Sequence, residues 1–273
     1  MSLVDLTYPS VGACPVLVEV PHAGTIVPEP LASMLDAGGG DVRHDADLYV
    51  ERLFARAPSA GATLLCARMA RYVVDLNRAE TEIDDALFDA QNVRKRGAPV
   101  GAVWRCTGDG RPLLACPISR GHVEERLATY HAPYHRLVGA ELARLRAGAR
   151  HVLLLAGHSM PSRGKRLGRD EVRPDVVPGS VGRSTAHPAL IDAVEEHFRA
   201  AGLSVRHDDP YRGGYSTQHY GAPAVGQHAI QIELNRALYM DERTLLPHPS
   251  HMARLTQLLE SLVVRLGQVC AQL

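Results

Sequence analysis

Apolar runs of strand length recur near residues 16–20, 62–67, 71–75, 151–156, 203–206 and 228–233. Between them lie stretches with helical spacing, about 44–57, 122–147, 187–201 and 241–271. The last is the clearest, because Met252, Leu255, Leu258, Leu259, Leu262, Val263 and Leu266 recur at three and four residues and line one face. Strands alternating with helices predict an α/β protein, three α/β/α layers around a mixed sheet, and 273 residues suit a single domain. Two stretches, 79–120 and 159–185, lack periodicity and are rich in glycine, proline and charge. Segments of that length inside a compact domain predict lids or binding loops.

Composition narrows the function without naming it. Lysine plus arginine equal aspartate plus glutamate at 30 each, which argues against a nucleic-acid or anionic-membrane partner. Arg163, Lys165, Arg166, Arg169 and Arg173 form a basic stretch, but Asp170, Glu171 and Asp175 interrupt it, so a solvated loop is expected. The opening residues lack a signal-type pattern and no run reaches membrane-spanning length, which predicts a cytoplasmic protein with a small-molecule partner. Cysteines at 14, 66, 106, 116 and 270 form no Cys-x-x-Cys pair, so free and mostly buried thiols are expected.

Three apolar runs each end on a residue suited to a metal hydrolase: Val16–Val20 leads to His22, His151–Ala156 to His158, and Ala229–Ile232 to Glu233. Ligands of open α/β sheets sit beyond the carboxyl ends of the strands, so residues delivered there converge. A histidine at such a turn is most often structural; the repeat of the arrangement at His22 and His158 favours shared ligation. A catalytic zinc takes three protein ligands, and Asp45 and Asp47, at the expected start of a helix, are the acidic candidates for ligand or cap. Glu233, at the end of an apolar run, is either a base with a raised pKa or an ion-pair partner of Arg236 or Arg71. Arg71, Asn77 and Arg78 suit carboxylate or carbonyl recognition, with structural pairing of Arg78 to Asp75 or a nearby glutamate as the plainer alternative. His131 and His135 share a helical face across Pro133 and read as packing or pocket residues. Gly213, Gly214 and Tyr215 read as a pocket wall.

As a set, Val20–Gly24, the Asp45-x-Asp47 pair, Arg71–Arg78, Tyr130–His135, Gly157–Ser162, Gly213–Tyr215 and Gln231–Arg236 resemble the N-formylglutamate amidohydrolase family, in order from about residue 16 to 242. That family is similar to the zinc carboxypeptidases and aspartoacylases, which implies a phosphorylase/hydrolase-like α/β/α fold. The resemblance implies one zinc per chain on His22, His158 and an acidic residue, Asp47 or alternatively Asp45, with Glu233 as the base. It further implies that Asp75–Arg78 recognises a substrate carboxylate, while Arg71, read from its own chemistry, is expected to assist the reacting carbonyl. The implied reaction converts N-formyl-L-glutamate to formate and L-glutamate, of the histidine-degradation type. Alternatives are a related zinc enzyme for another N-acyl amino acid, or a silent binding protein. The chain departs from the family in carrying Ala156-Gly157 where an aspartate is common before the histidine, and Arg212 where a lysine is common.

Overall fold

The runs at 16–20, 62–67, 151–156 and 228–233 become the parallel centre of a six-stranded sheet in the computed structural model, which describes residues 3–29, 31–35, 41–166 and 169–273. In chain order the strands are β1 (Val4–Thr7), β2 (Val16–Val20), β3 (Thr63–Ala67), β4 (Val152–Met160), a hairpin of β5 (Arg163–Arg166) and β6 (Arg169–Val172), β7 (Val176–Gly179) and β8 (Gln227–Asn235). The sheet order is β1-β3-β2-β4-β8-β7, with antiparallel strands only at its two edges. The central strands read as unbroken apolar runs because both their faces are covered.

Val16, Val18 and Val20 face helices α5 (Pro188–Ala200) and α7 (Pro249–Gln272), and Leu17 faces the other layer, built on α4 (Ala132–Arg146) and α6 (Tyr215–Tyr220). The three-layer mixed α/β/α architecture is therefore present. The chain passes from β2 to β3 on one side and later fills β4 on the other, so the strand order reverses between β2 and β4. A crevice opens at such a reversal.

Several sequence expectations need correction. Residues 71–75 are turns, not a strand, and 203–206 contribute only a bridge between Val205 and Val176. The helix expected over 44–57 is a 3-10 turn at Val42–His44 and one α-helical turn, α2 (Val50–Leu53), which follows an equally short α1 (Leu31–Met34). The last helix begins at Pro249, after a small hairpin at Met240–Asp241 and Leu246–Pro247. Within 159–185 stand β5, β6 and β7 rather than an irregular loop, residues 167–168 lying outside the described part. The 79–120 stretch lacks strands but has its own small core of Leu87, Val93, Val103, Leu114 and Ile118. All five cysteines are free, and Cys66, Cys106 and Cys270 are buried. No helix among the described residues is long and apolar enough to cross a membrane.

Candidate active site

His22 follows β2, His158 lies near the end of β4 and Glu233 near the end of β8, three neighbouring strands of the parallel centre. His158 and Glu233 are register partners, and partners on adjacent strands project from the same face. Gly157 makes this passage of β4 possible: a Cβ there would stand 2.4 Å from the ring of Phe54. Asp47 arrives from the segment after the 3-10 turn, its backbone N–H donating to the His22 carbonyl at 2.9 Å.

His22, Asp47 and His158 are all buried, and a ligand atom from each lies within 4.8 Å of the others. Asp47 Oδ2 stands 3.1 Å from His158 Nδ1 and 3.7 Å from His22 Nδ1. The outer face of the His22 ring is fixed, since Nε2 lies 2.7 Å from Asp75 Oδ1. With Nε2 donating to a carboxylate, Nδ1 keeps its lone pair, and this buried atom has no hydrogen-bond partner among the described residues. A partnerless imidazole nitrogen aimed at a carboxylate and a second imidazole is the donor set of a divalent metal. The residues fit such an ion.

Asp45 is engaged elsewhere, accepting from the Tyr72 hydroxyl at 2.5 Å and the Gly108 N–H at 2.9 Å. Burial opposes ionisation of Asp47, but the two histidine rings hold its carboxyl well below the usual range. Asp75 behaves likewise: burial acts against the charge, and Arg71 with His22 overcomes it. Arg71 gives Nη2 to Asp75 Oδ2 at 2.7 Å and lays its guanidinium 4.3 Å over the Trp104 ring. Glu233 accepts from Gln231 Nε2 at 2.8 Å. Burial pushes its carboxyl up to about 7, against the pull of His158 and two arginines.

Asn77 is held by two neighbours at the cavity wall. Its Nδ2 donates to Gln231 Oε1 at 3.1 Å and stands 3.4 Å from His158 Nε2, while its Oδ1 accepts the Ser216 N–H at 3.0 Å. Gly214 allows this closure, because a Cβ there would lie 2.2 Å from Asn77 Nδ2, and the left-handed Gly213 turns the chain into it. Arg78 is exposed and reaches Glu82 at 3.5 Å, the nearby-glutamate pairing rather than the one with Asp75. Its carbonyl accepts from the buried His131, and that of Leu76 accepts from His135, each at 2.9 Å.

All of these groups border or underlie one cavity of about 760 Å³, lined by His22, Asp47, His158, Glu233, Arg71, Asn77, Arg78 and the Gly213–Tyr215 turn, with Asp45 at its edge. Sequence reasoning missed Asp75 as the partner of His22, and Arg236 as the clamp on the Asp47 segment. Arg236 donates to the carbonyls of His44 and Ala46 at 3.0 and 2.8 Å and to Ser159 Oγ at 3.2 Å. A signal was present: acidic-Leu-Asn-Arg occurs twice, at Asp75–Arg78 and Glu233–Arg236. A second constellation, Ser180 Oγ 2.9 Å from His207 Nε2 with Glu195 3.0 Å from Nδ1, looks like a nucleophile and base, yet Ser180 is fully buried and outside the cavity.

Residues 14–240 match the N-formylglutamate amidohydrolase model. The chain belongs to the N-formylglutamate amidohydrolase family. An N-formylglutamate deformylase of Pseudomonas aeruginosa is 35% identical over 264 residues, covering 92% of this chain and 94% of that protein. One from Pseudomonas putida is 30% identical over 249 residues, covering 90% and 89%. The crystal structure of N-formylglutamate amidohydrolase from Ralstonia eutropha superposes with a TM-score of 0.86 at 27% identity, covering 100% of this chain and 99% of that one. A gene product of Agrobacterium tumefaciens shares the fold at a TM-score of 0.68 and 20% identity.

Proposed function

We propose that this protein hydrolyses the formyl amide of N-formyl-L-glutamate to formate and L-glutamate. The observation that carries the reading is the buried His22–Asp47–His158 group beside Glu233, in a chain similar over nearly its whole length to deformylases acting on that compound. We take zinc as the metal, one per chain on His22, Asp47 and His158, because two imidazoles and one carboxylate are a catalytic zinc set that leaves a position open. When bound, such an ion polarises the amide carbonyl and acidifies a water.

The chain's own groups do the rest. Glu233, with a carboxyl raised to about 7, is matched to accept a proton from the attacking water near neutral pH. It then passes that proton to the nitrogen of the leaving amine as the carbon–nitrogen bond breaks. Arg71, fixed by Asp75 and Trp104, presents positive charge to the cavity where the carbonyl oxygen gains negative charge. Asn77 and Arg78, with the Gly213–Tyr215 turn closing over Asn77, hold the α-carboxylate.

Glu233→Gln tests the assignment, since it keeps the shape and removes the base. The variant is expected to retain stoichiometric metal and lose formate release by roughly a hundredfold or more; wild-type turnover by Glu233→Gln would remove Glu233 from the mechanism.

A further inference from the structure

Six arginines line the cavity: Arg71, Arg78, Arg111, Arg173, Arg212 and Arg236. Four of them have a carboxylate to answer, Arg71 with Asp75, Arg78 with Glu82, Arg111 with Asp109 and Arg236 with Asp47. Arg173 and Arg212 have none among the described residues, and both belong to the wall where the segment after β6 meets the Pro210–Tyr215 loop.

Arg173 is half-buried and built into place. Its Nη1 donates to the Pro161 carbonyl at 3.3 Å, and its guanidinium carbon lies 5.2 Å over the Tyr211 ring. On its third side it packs on the bare backbone of Gly164, where a Cβ would stand 2.2 Å from Nη2. Arg212 is exposed, but its backbone is pinned by the Val181 N–H at 2.7 Å. An ordered, partly desolvated cation such as Arg173 is costly without a counter-ion. An anion relieves that cost, and the planar fork of arginine suits a carboxylate.

The spacing agrees with a substrate of known length. Pro161 lies three residues past His158, roughly 10 Å along an extended chain. In an N-formylated five-carbon diacid the side-chain carboxylate lies five bonds from the formyl carbon, roughly 6 Å, and a guanidinium contact adds most of the remainder.

We infer that Arg173 and Arg212 form the subsite for the second, side-chain carboxylate of a dicarboxylic substrate, leaving the α-carboxylate to Asn77 and Arg78. This rests on the deformylase reading and deepens it, because it makes the enzyme a reader of two carboxylates rather than a general deformylase of amino acids. Arg173 closes the basic stretch that the sequence assigns to a solvated loop, and it instead enters the cavity.

The test compares kcat/KM for N-formyl-L-glutamate and N-formyl-L-glutamine, which match in shape and differ in charge, across the wild type, Arg173→Gln, Arg212→Gln and the double variant. The wild type is expected to prefer the glutamate compound by roughly ten- to a hundredfold. The double variant loses that preference through a higher KM for the glutamate compound, with the glutamine compound unaffected. A preference that survives in the double variant overturns the subsite. If the wild type cleaves neither compound, the deformylase reading fails, and calorimetry with glutarate and its monoamide then decides the subsite by itself. Tighter binding of glutarate that both substitutions abolish upholds the inference, and equal binding by wild type and double variant overturns it.

Discussion

The ring of His22 is held at one nitrogen by Asp75 and left free at the other, and the first fact produces the second. Asp75 in turn is ionised because Arg71 sits on its other oxygen. This chain of contacts sets the direction of a metal-binding lone pair, so Asp75→Asn is expected to lower zinc affinity by roughly ten- to a hundredfold. Competition against a chromogenic chelator measures it, and an unchanged dissociation constant would separate Asp75 from the metal group. At this scale the sequence is informative where a residue's position is unusual. Histidines directly after apolar strands, and a glutamate inside one, stand out against their neighbours. Asp75 does not stand out, because its value comes from a partner 53 residues away. Glu19 does stand out inside the β2 run, but its partners are distant: buried, it accepts from the Tyr134 and Ser216 hydroxyls at 2.9 and 3.0 Å, with burial raising its carboxyl.

Among the elements, the most consequential misreading is the Tyr72-Val73-Val74 run. Its apolar side chains are buried as a strand's would be, but its polar backbone is answered by side chains from one helical stretch. Arg126 at the end of α3 (Arg120–Arg126) approaches the carbonyls of Tyr72 and Val73 at 3.5 Å, and His131 and His135 take those of Arg78 and Leu76. A π-helical turn at Leu127–His131 joins α3 to α4, where the Ala132 N–H reaches back to the Leu127 carbonyl. Pro133 follows immediately and has no N–H to give, which accounts for a widened turn at that point. The turn brings the rings of His131 and His135 to 4.3 Å, both facing the Leu76–Arg78 segment. His135 also accepts from the Tyr220 hydroxyl at 2.9 Å. Replacing His135 with Leu leaves the Leu76 carbonyl without its partner, while the Tyr220 hydroxyl keeps the backbone carbonyl of residue 135 at 3.1 Å, an expected loss of about 1–3 kcal/mol in urea unfolding. A loss within about 0.5 kcal/mol, the range of ordinary surface substitutions, would mean the histidine merely fills space.

For the molecule as a whole, the three central strands were legible as unbroken apolar runs and the two long helices by apolar positions recurring with the helical period. The edges were not. β1 is four residues with alternating exposure, and β7 contains Pro178, so neither departs clearly from loop composition. The convergence of His22, Asp47, His158 and Glu233 was legible only through the topological rule for open sheets, and the strand order supplies the reversal that the rule requires. The opposite rim carries a different histidine group. His228, fully buried, lies 3.0 Å from His151 and accepts the His187 N–H at 3.3 Å, and burial pushes its pKa down to about 4. A histidine depressed in the folded state binds its proton first in the unfolded state, so its stabilising contribution is complete above about pH 6.5 and is lost as pH falls toward about 4. Unfolding free energy is therefore expected to drop between pH 6.5 and 5 by up to about 1.4 kcal/mol per unit from this group; a stability that stays level there would contradict the neutral burial of His228.

Formate release from N-formyl-L-glutamate decides whether this protein is a metal-dependent deformylase. The purified protein is stripped with a chelator, assayed, reloaded with one equivalent of zinc and assayed again. The stripped protein is expected to release none, and reloading to restore release with L-glutamate in equal amount. Full release from the stripped protein would contradict the role given to His22, Asp47 and His158, and no release from the zinc-loaded protein would contradict the proposed reaction itself.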